Sequence, residues 1–258
     1  MRRIPVVIAL LSAIVCSTAL AQESASDGKF QVLAKRYQTL LARRARKGTA
    51  FDMLYRHYLD AGKLDDLVAH YQQQVKQQPD SAADHLVLAL IHERGGRVAA
   101  AHALFEKAAQ LAPDDFYPEY ASALLLVRQY RPDDAVKAFE RALAKQPGRS
   151  QLLEVYKRLG RLHLRQGNQK QALAVWEKLA KSFPDDKRVL QELAQLLTEE
   201  EQFEEAIGHY QQLIKLSGSD LYRKLTSRME IGQIQVRQGK LKTAIGTFES
   251  CLEQVRPG

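Results

Sequence analysis

A chain of 258 residues that is 45% hydrophobic and 26% charged can bury a sizeable core and is neither disordered nor fibrous in composition. Its formal charge of +8 falls by two if Arg2 and Arg3 are removed, a surplus too mild to require a nucleic-acid partner. With Cys16 in a removable leader, Cys251 stands alone, which excludes a disulfide-stapled scaffold.

The N-terminus has the layout of an export signal. Met1-Arg2-Arg3 is positive, Ile4 to Cys16 is mostly apolar, and Ala19-Leu20-Ala21 meets the small-x-small cleavage rule. This predicts a Sec-type signal peptide over 1–21, cleaved after Ala21, and a mature chain in the periplasm or cell envelope. An uncleaved anchor is the alternative, weakened by Pro5, Ser12, Ser17 and Thr18. Val15, where a small residue is required, speaks against lipidation of Cys16. No later stretch is apolar enough to span a bilayer. Residues 22–47 read as a polar leader and a capping helix from Lys29 to Lys47, with Phe30, Leu33, Tyr37, Leu40 and Leu41 as its stripe. Arg43, Arg44, Arg46 and Lys47 before Gly48 read as cations favouring the helix C-terminus rather than as a nucleic-acid or lipid patch.

From Gly48 the chain repeats. Pro79, Pro113 and Pro147 are 34 residues apart, which divides the sequence into 48–81, 82–115 and 116–149. An insertion, Ser150 to Leu152, precedes 153–186. The unit 187–220 has Gly218 in place of the proline, and a four-residue insertion leads into 225–258. Each unit reads as two amphipathic helices and a turn. Ala89, Ala123, Gly160, Ala194 and Gly232 recur in the first helix, and Ala101, Ala135, Ala172, Ala206 and Ala244 in the second. Four residues beyond the second position stand Tyr71, Phe105, Phe139, Trp176, Tyr210 and Phe248, and turn glycines fall at Gly62, Gly96, Gly167 and Gly239.

This pattern resembles the tetratricopeptide repeat (TPR) family. The resemblance implies an all-α, right-handed superhelical solenoid of about six helix-turn-helix units over 48–258, with an N-terminal helix. Small residues would let paired helices approach, and each aromatic would fill the space between its own unit and the next. The first unit departs most, with Tyr55 and Leu67 at the small positions, so its helices should pack less closely than the others or meet the N-terminal helix differently. Behind the last unit, Ile231, Phe248 and Leu252 should be partly bare, open to a second copy, a partner or further chain.

No catalytic, cofactor or metal motif is present: no GxxxxGK[ST], GxGxxG after a strand, GxSxG or HExxH. His85, His92 and His163 fall on packing positions, and Cys251 reads as a buried thiol. Glu199, Glu200, Glu201, Glu204 and Glu205 read as a solvated helix cap. The chemistry expected is therefore binding, not catalysis.

In the TPR family the first helices line a concave groove. Carried over residue by residue, that groove here comprises Arg94, Tyr117, Tyr120, Leu124, Arg128, Lys157, Arg161, Arg165, Gln191 and Gln195, with Arg56, Val127, Glu154, Leu164 and Arg237 nearby. A basic middle beside aromatic and aliphatic groups suits a peptide carrying acidic and apolar groups. Ordinary solvated side chains are the alternative. Asn168 is the only asparagine, so the family's carboxylate clamp is not expected. The function implied is an exported scaffold for protein–protein or protein–peptide interaction. The alternatives are an N-terminal arm of a larger exported protein, such as an enzyme, and polyanion binding.

Overall fold

A computed structural model describes residues 28–255, and among these the secondary structure is helical throughout, so the all-α expectation holds. The export signal read from Met1 to Ala21 lies outside the described residues. The chain divides into two compact units between Gln129 and Tyr130. The first contains α1 (28–43), α2 (Thr49–Asp60), α3 (Leu64–Gln77), α4 (Ala82–Arg94), α5 (Val98–Leu111) and α6 (Tyr117–Arg128). The second contains α7 (Pro132–Ala144), α8 (Arg149–Arg165), α9 (Gln169–Ser182), α10 (Lys187–Glu199), α11 (Phe203–Leu216), α12 (Leu221–Arg237) and α13 (Leu241–Glu253).

Local sequence sets these boundaries. Ser81, Asp186 and Asp220 cap α4, α10 and α12, each accepting from the amides that the first turn leaves unpaired. Pro132 opens α7, where its missing N–H costs nothing. Gly62, Gly96, Gly167 and Gly239 take φ of 68–76° in the turns between helices, a conformation free of Cβ strain only for glycine. In the two equivalent turns that lack glycine, Tyr130 (φ 57°) and Glu201 (φ 59°) adopt the same left-handed backbone.

The two insertions become helix. α8 and α12 are each 17 residues long, against 12 or 13 for α2, α4, α6 and α10. Ser150 to Leu152 lie within the first turn of α8, and residues 221–224 form that of α12. Adding a turn at the N-terminal end leaves the downstream packing register unchanged.

Side-chain complementarity makes the core. Tyr71, Phe105, Phe139, Trp176 and Tyr210 are all buried, as are Ala89, Ala123 and Ala194. At Gly160 an added Cβ would lie 2.1 Å from the Trp176 indole nitrogen, and at Gly232 it would lie 2.5 Å from the Phe248 ring. The small residue is thus the seat of the aromatic of its own helix pair, not only a general allowance for close approach. Trp176 also shares a cluster with Leu190, Leu193, Ala194 and Leu197 of the following helix, as expected. Its indole N–H donates to the Tyr156 carbonyl at 3.2 Å, so the buried polar tip is satisfied.

The expected looseness of the first pair is met: α2 and α3 touch far less than α4 and α5 do. The N-terminal helix compensates, with Phe30 stacked on His57 at 4.2 Å and edge-on to Tyr58 at 4.9 Å. On α13, Leu241, Ile245 and Leu252 are 57–62% exposed and Phe248 is half-buried. Ile231, expected to be bare beside them, is buried instead because it belongs to the α10–α11 cluster.

Candidate binding face

In the first compact unit the expected groove residues separate into two kinds. Tyr117 is not a groove residue: it is buried, and its hydroxyl accepts the Lys47 backbone N–H at 2.7 Å. Burial pushes that hydroxyl up to about 12, opposed by the Lys47 bond. Tyr120 and Leu124 are half-buried, Tyr120 lying 6.0–6.1 Å from Phe116 and Tyr117 in one aromatic group. Arg94 and Arg128 are exposed but engaged. Arg94 binds Asp52 at 2.5 Å and lies 4.7 Å from the Tyr55 ring, and Arg128 pairs with Glu93.

The basic run after α1 has a different role from the one its position suggests. The helix ends at residue 43, before most of the cations. Arg46 instead reaches Asp115 at 3.2 Å and sits 5.0 Å and 5.3 Å from the Phe116 and Tyr117 rings. Lys47 meets Glu93 at 3.3 Å. The run is thus a strap that docks on α4 and the start of α6, not a complement to a helix dipole.

In the second compact unit the expected basic surface is largely neutralised. Lys157 of α8 pairs with Glu192 of α10 at 3.0 Å. Arg161 pairs with Glu199 at 2.7 Å and Glu200 at 2.5 Å. Arg165 is exposed and has no ion pair among the described residues. The acidic cluster keeps its place at the start of α11, with Glu204 and Glu205 in the first turn and most of its side chains exposed, but it is also paired: Glu201 lies 3.6 Å from Arg237 and Glu204 accepts from Gln238 at 2.9 Å. Most of these contacts span 33–39 residues, close to the repeat length, as do Gln166 with Asp133 and Gln169 with Gln202. They link successive helix pairs, either between equivalent helices, as Lys157 of α8 and Glu192 of α10, or from the end of a first helix to the start of the preceding second helix, as Gln166 and Asp133. Opposite charges offset by one repeat were the signal in the sequence that reading each helix alone overlooked.

Gln191 and Gln195, one turn apart on α10, line a recess of about 140 Å³ facing α12. Tyr210 of α11 forms its floor, and Tyr222, Arg223 and Glu230 stand along α12. The Tyr210 hydroxyl is shielded from solvent. The Thr198 hydroxyl donates to the Ala194 carbonyl at 2.8 Å, and its oxygen lies near enough to the Tyr210 hydroxyl to act as an acceptor for it. Burial, reinforced by the Glu230 charge, raises Tyr210 to about 12.

The histidines serve packing. His85 and His92 are buried, and the His85 Nδ1 meets the Ser81 carbonyl at 2.9 Å. Burial holds His70, His92, His163 and His209 below the usual imidazole range. Among the described residues no group of three His, Cys, Asp or Glu is placed to hold a metal ion, and no helix is long and apolar enough to cross a membrane. Cys251 is buried with a free thiol.

Consecutive helix pairs with an aromatic seated on a small residue, joined by polar contacts at the repeat length, define a helical-repeat interaction scaffold. One model described as tetratricopeptide repeat matches residues 53–116 and 192–256, and a second so described matches 126–196. The chain belongs to the tetratricopeptide repeat family. Similar solved structures include YrrB, described as a TPR protein with an unusual peptide-binding site. It is 14% identical, with 71% of this chain and 91% of that chain covered and a TM-score of 0.45. MamA (41-end) from Desulfovibrio magneticus RS-1 is 23% identical, covering 67% and 93%, with a TM-score of 0.42. The pilF protein of Pseudomonas aeruginosa is 20% identical, covering 81% and 91%, with a TM-score of 0.48. No curated protein matches the chain.

Proposed function

We propose that this chain is an exported TPR scaffold that holds a protein or peptide partner against the side chains of its first helices. The observation that carries the reading is the partly buried polar face of the second compact unit, where Lys157, Arg161, Gln191 and Gln195 project from successive first helices beside the α10–α12 recess. Such a surface presents fixed donors and acceptors at helical spacing, which suits an extended or helical segment. Internal pairing of Lys157 and Arg161 favours a peptide over a polyanion, because few cations are left to release counterions. The units at 48–81, 82–115, 116–149, 153–186, 187–220 and 225–258 are read as the scaffold. The Met1–Ala21 pattern supports export to the periplasm or cell envelope.

The test is affinity capture from envelope extract of the native host, with wild type and an Arg165→Glu/Gln195→Lys variant. Both side chains are exposed, so the fold is unaffected. A specific partner recovered by wild type and lost by the variant is expected. Equal recovery by both removes this face from the function. Intact mass of the chain from the same host tests export: cleavage after Ala21 is expected, and a retained Met1–Ala21 segment overturns it.

A further inference from the structure

We infer that the recess between α10 and α12 receives the guanidinium of an arginine side chain, with Glu230 as its counter-charge and Gln191 and Gln195 as amide acceptors. As a source for that arginine the inference rests on the peptide-binding reading above. Size sets the first limit. A water occupies about 30 Å³, so about 140 Å³ admits the head of one long side chain. Drug-sized ligands and cofactors need pockets of about 300–1,000 Å³.

Charge sets the second. Two ionised groups of α12 line the recess, and they are not equivalent. Arg223 is held by Asp220 at 3.4 Å, and Asp220 itself is fixed by capping the Arg223 backbone N–H at 3.0 Å. Glu230 has no ion pair and no hydrogen bond among the described residues, so the uncompensated charge is negative. The incoming group is therefore a cation.

Geometry separates guanidinium from ammonium. Tyr222, Thr226 and Glu230 stand at i, i+4 and i+8 and share one face of α12, opposite Gln191 and Gln195 on α10. Acceptors on two walls match a planar fork of five N–H donors better than a compact ammonium. Tyr222, 82% exposed at the rim, offers a ring face for stacking. On the floor, the largely buried ring of Tyr210 closes the recess and limits its depth. The chain uses this chemistry elsewhere: Arg46 lies over the Phe116 and Tyr117 rings with Asp115 as its counter-charge, and Arg94 lies over the Tyr55 ring with Asp52 as its own.

The test is a 1H–15N NMR titration of the full chain with N-acetyl-arginine methylamide, a probe small enough to bind without the rest of the groove. Saturable shifts confined to α10 and α12, with a midpoint of about 1–10 mM, are expected for so small a ligand. The neutral isostere N-acetyl-citrulline methylamide should bind at least about ten-fold more weakly, and E230Q should weaken the arginine probe by a similar factor. Equal binding of arginine and citrulline, an unchanged midpoint in E230Q, or no saturable shift overturns the inference. Preferential binding of N-acetyl-glutamate methylamide also overturns it and makes Arg223 the recognising group. Failure here with a partner still captured through Arg165 and Gln195 would leave the scaffold reading intact. Arginine binding without any captured partner would do the reverse.

Discussion

Trp176 seats more tightly on Gly160 than any side chain does on the other described glycines, and this makes a prediction that separates packing from propensity. Alanine is the better helix former by about 1 kcal/mol. Yet a methyl group at Gly160 would meet the indole at 2.1–2.7 Å, in a place where the ring is fully buried and bonded to Tyr156. Gly160→Ala should therefore destabilise by about 1–3 kcal/mol despite its propensity gain. Gly232→Ala poses the same clash against Phe248, but that ring is half-buried and can move aside, so its cost should be clearly smaller. Trp176→Ala leaves a cavity shared by α8, α9 and α10 and should cost about 3–5 kcal/mol. Urea melts of the three variants would check the order, and equal stabilities for the two glycine variants would show that the seat is not rigid. The glycines and aromatics were all legible in the sequence because they recur at one spacing. That one seats the other was not, because a period gives position along a helix but not which neighbour fills the gap.

At the scale of the element, turns and ion pairs decide what can be changed cheaply. Tyr130 is 93% exposed and Glu201 is exposed, so neither gains packing in return for its left-handed backbone, which costs a non-glycine residue about 1–2 kcal/mol. Glycine at either position relieves that strain but adds unfolded-state entropy, leaving a net gain of about 0.5–1 kcal/mol. A higher midpoint for Tyr130→Gly, and a lower one for Gly62→Ala at the equivalent turn, is the expected pair of results. The basic side chains of α8 behave differently from one another. Arg161→Glu would place a third carboxylate against Glu199 and Glu200 and should cost about 1 kcal/mol, whereas Arg165→Glu, with no ion pair, should leave the melting curve unchanged. Sequence reasoning placed all three cations, Lys157, Arg161 and Arg165, on one free surface. It treated each helix separately, and only the three-dimensional neighbour one repeat away reveals which charges are already satisfied.

For the whole molecule, the repeat pattern carried the fold class and most helix positions, since a 34-residue period with small and aromatic positions leaves little freedom in local packing. The surface was less legible: Tyr117 was lost to a strap bond from Lys47, and the recess at Tyr210 needed three helices to become visible. Four histidines, His92 buried and His70, His163 and His209 half-buried, give the molecule a pH dependence of definite sign. Burial depresses the folded-state values of His70, His92, His163 and His209 below the unfolded value near 6.5. Between the folded and unfolded values the unfolded chain binds more protons, so stability rises with pH across that window. This contribution is complete above about pH 6.5, declines as pH falls, and is lost once pH passes below the folded values. Ordinary carboxylates titrate near 4, so a comparison of pH 7.5 with pH 5.5 isolates the imidazoles. Thermal melts should show a lower midpoint at pH 5.5, by at least about 2 °C. His92 and His163 each keep a buried Nδ1 without a partner, so they have no acceptor to stabilise the protonated ring and should contribute strongly. Replacing both with glutamine should lower stability at pH 7.5 but flatten the difference between the two pH values. An undiminished pH difference in that double variant would assign the effect to His70 and His209, on the second helices α3 and α11, rather than to His92 and His163, near the ends of the first helices α4 and α8.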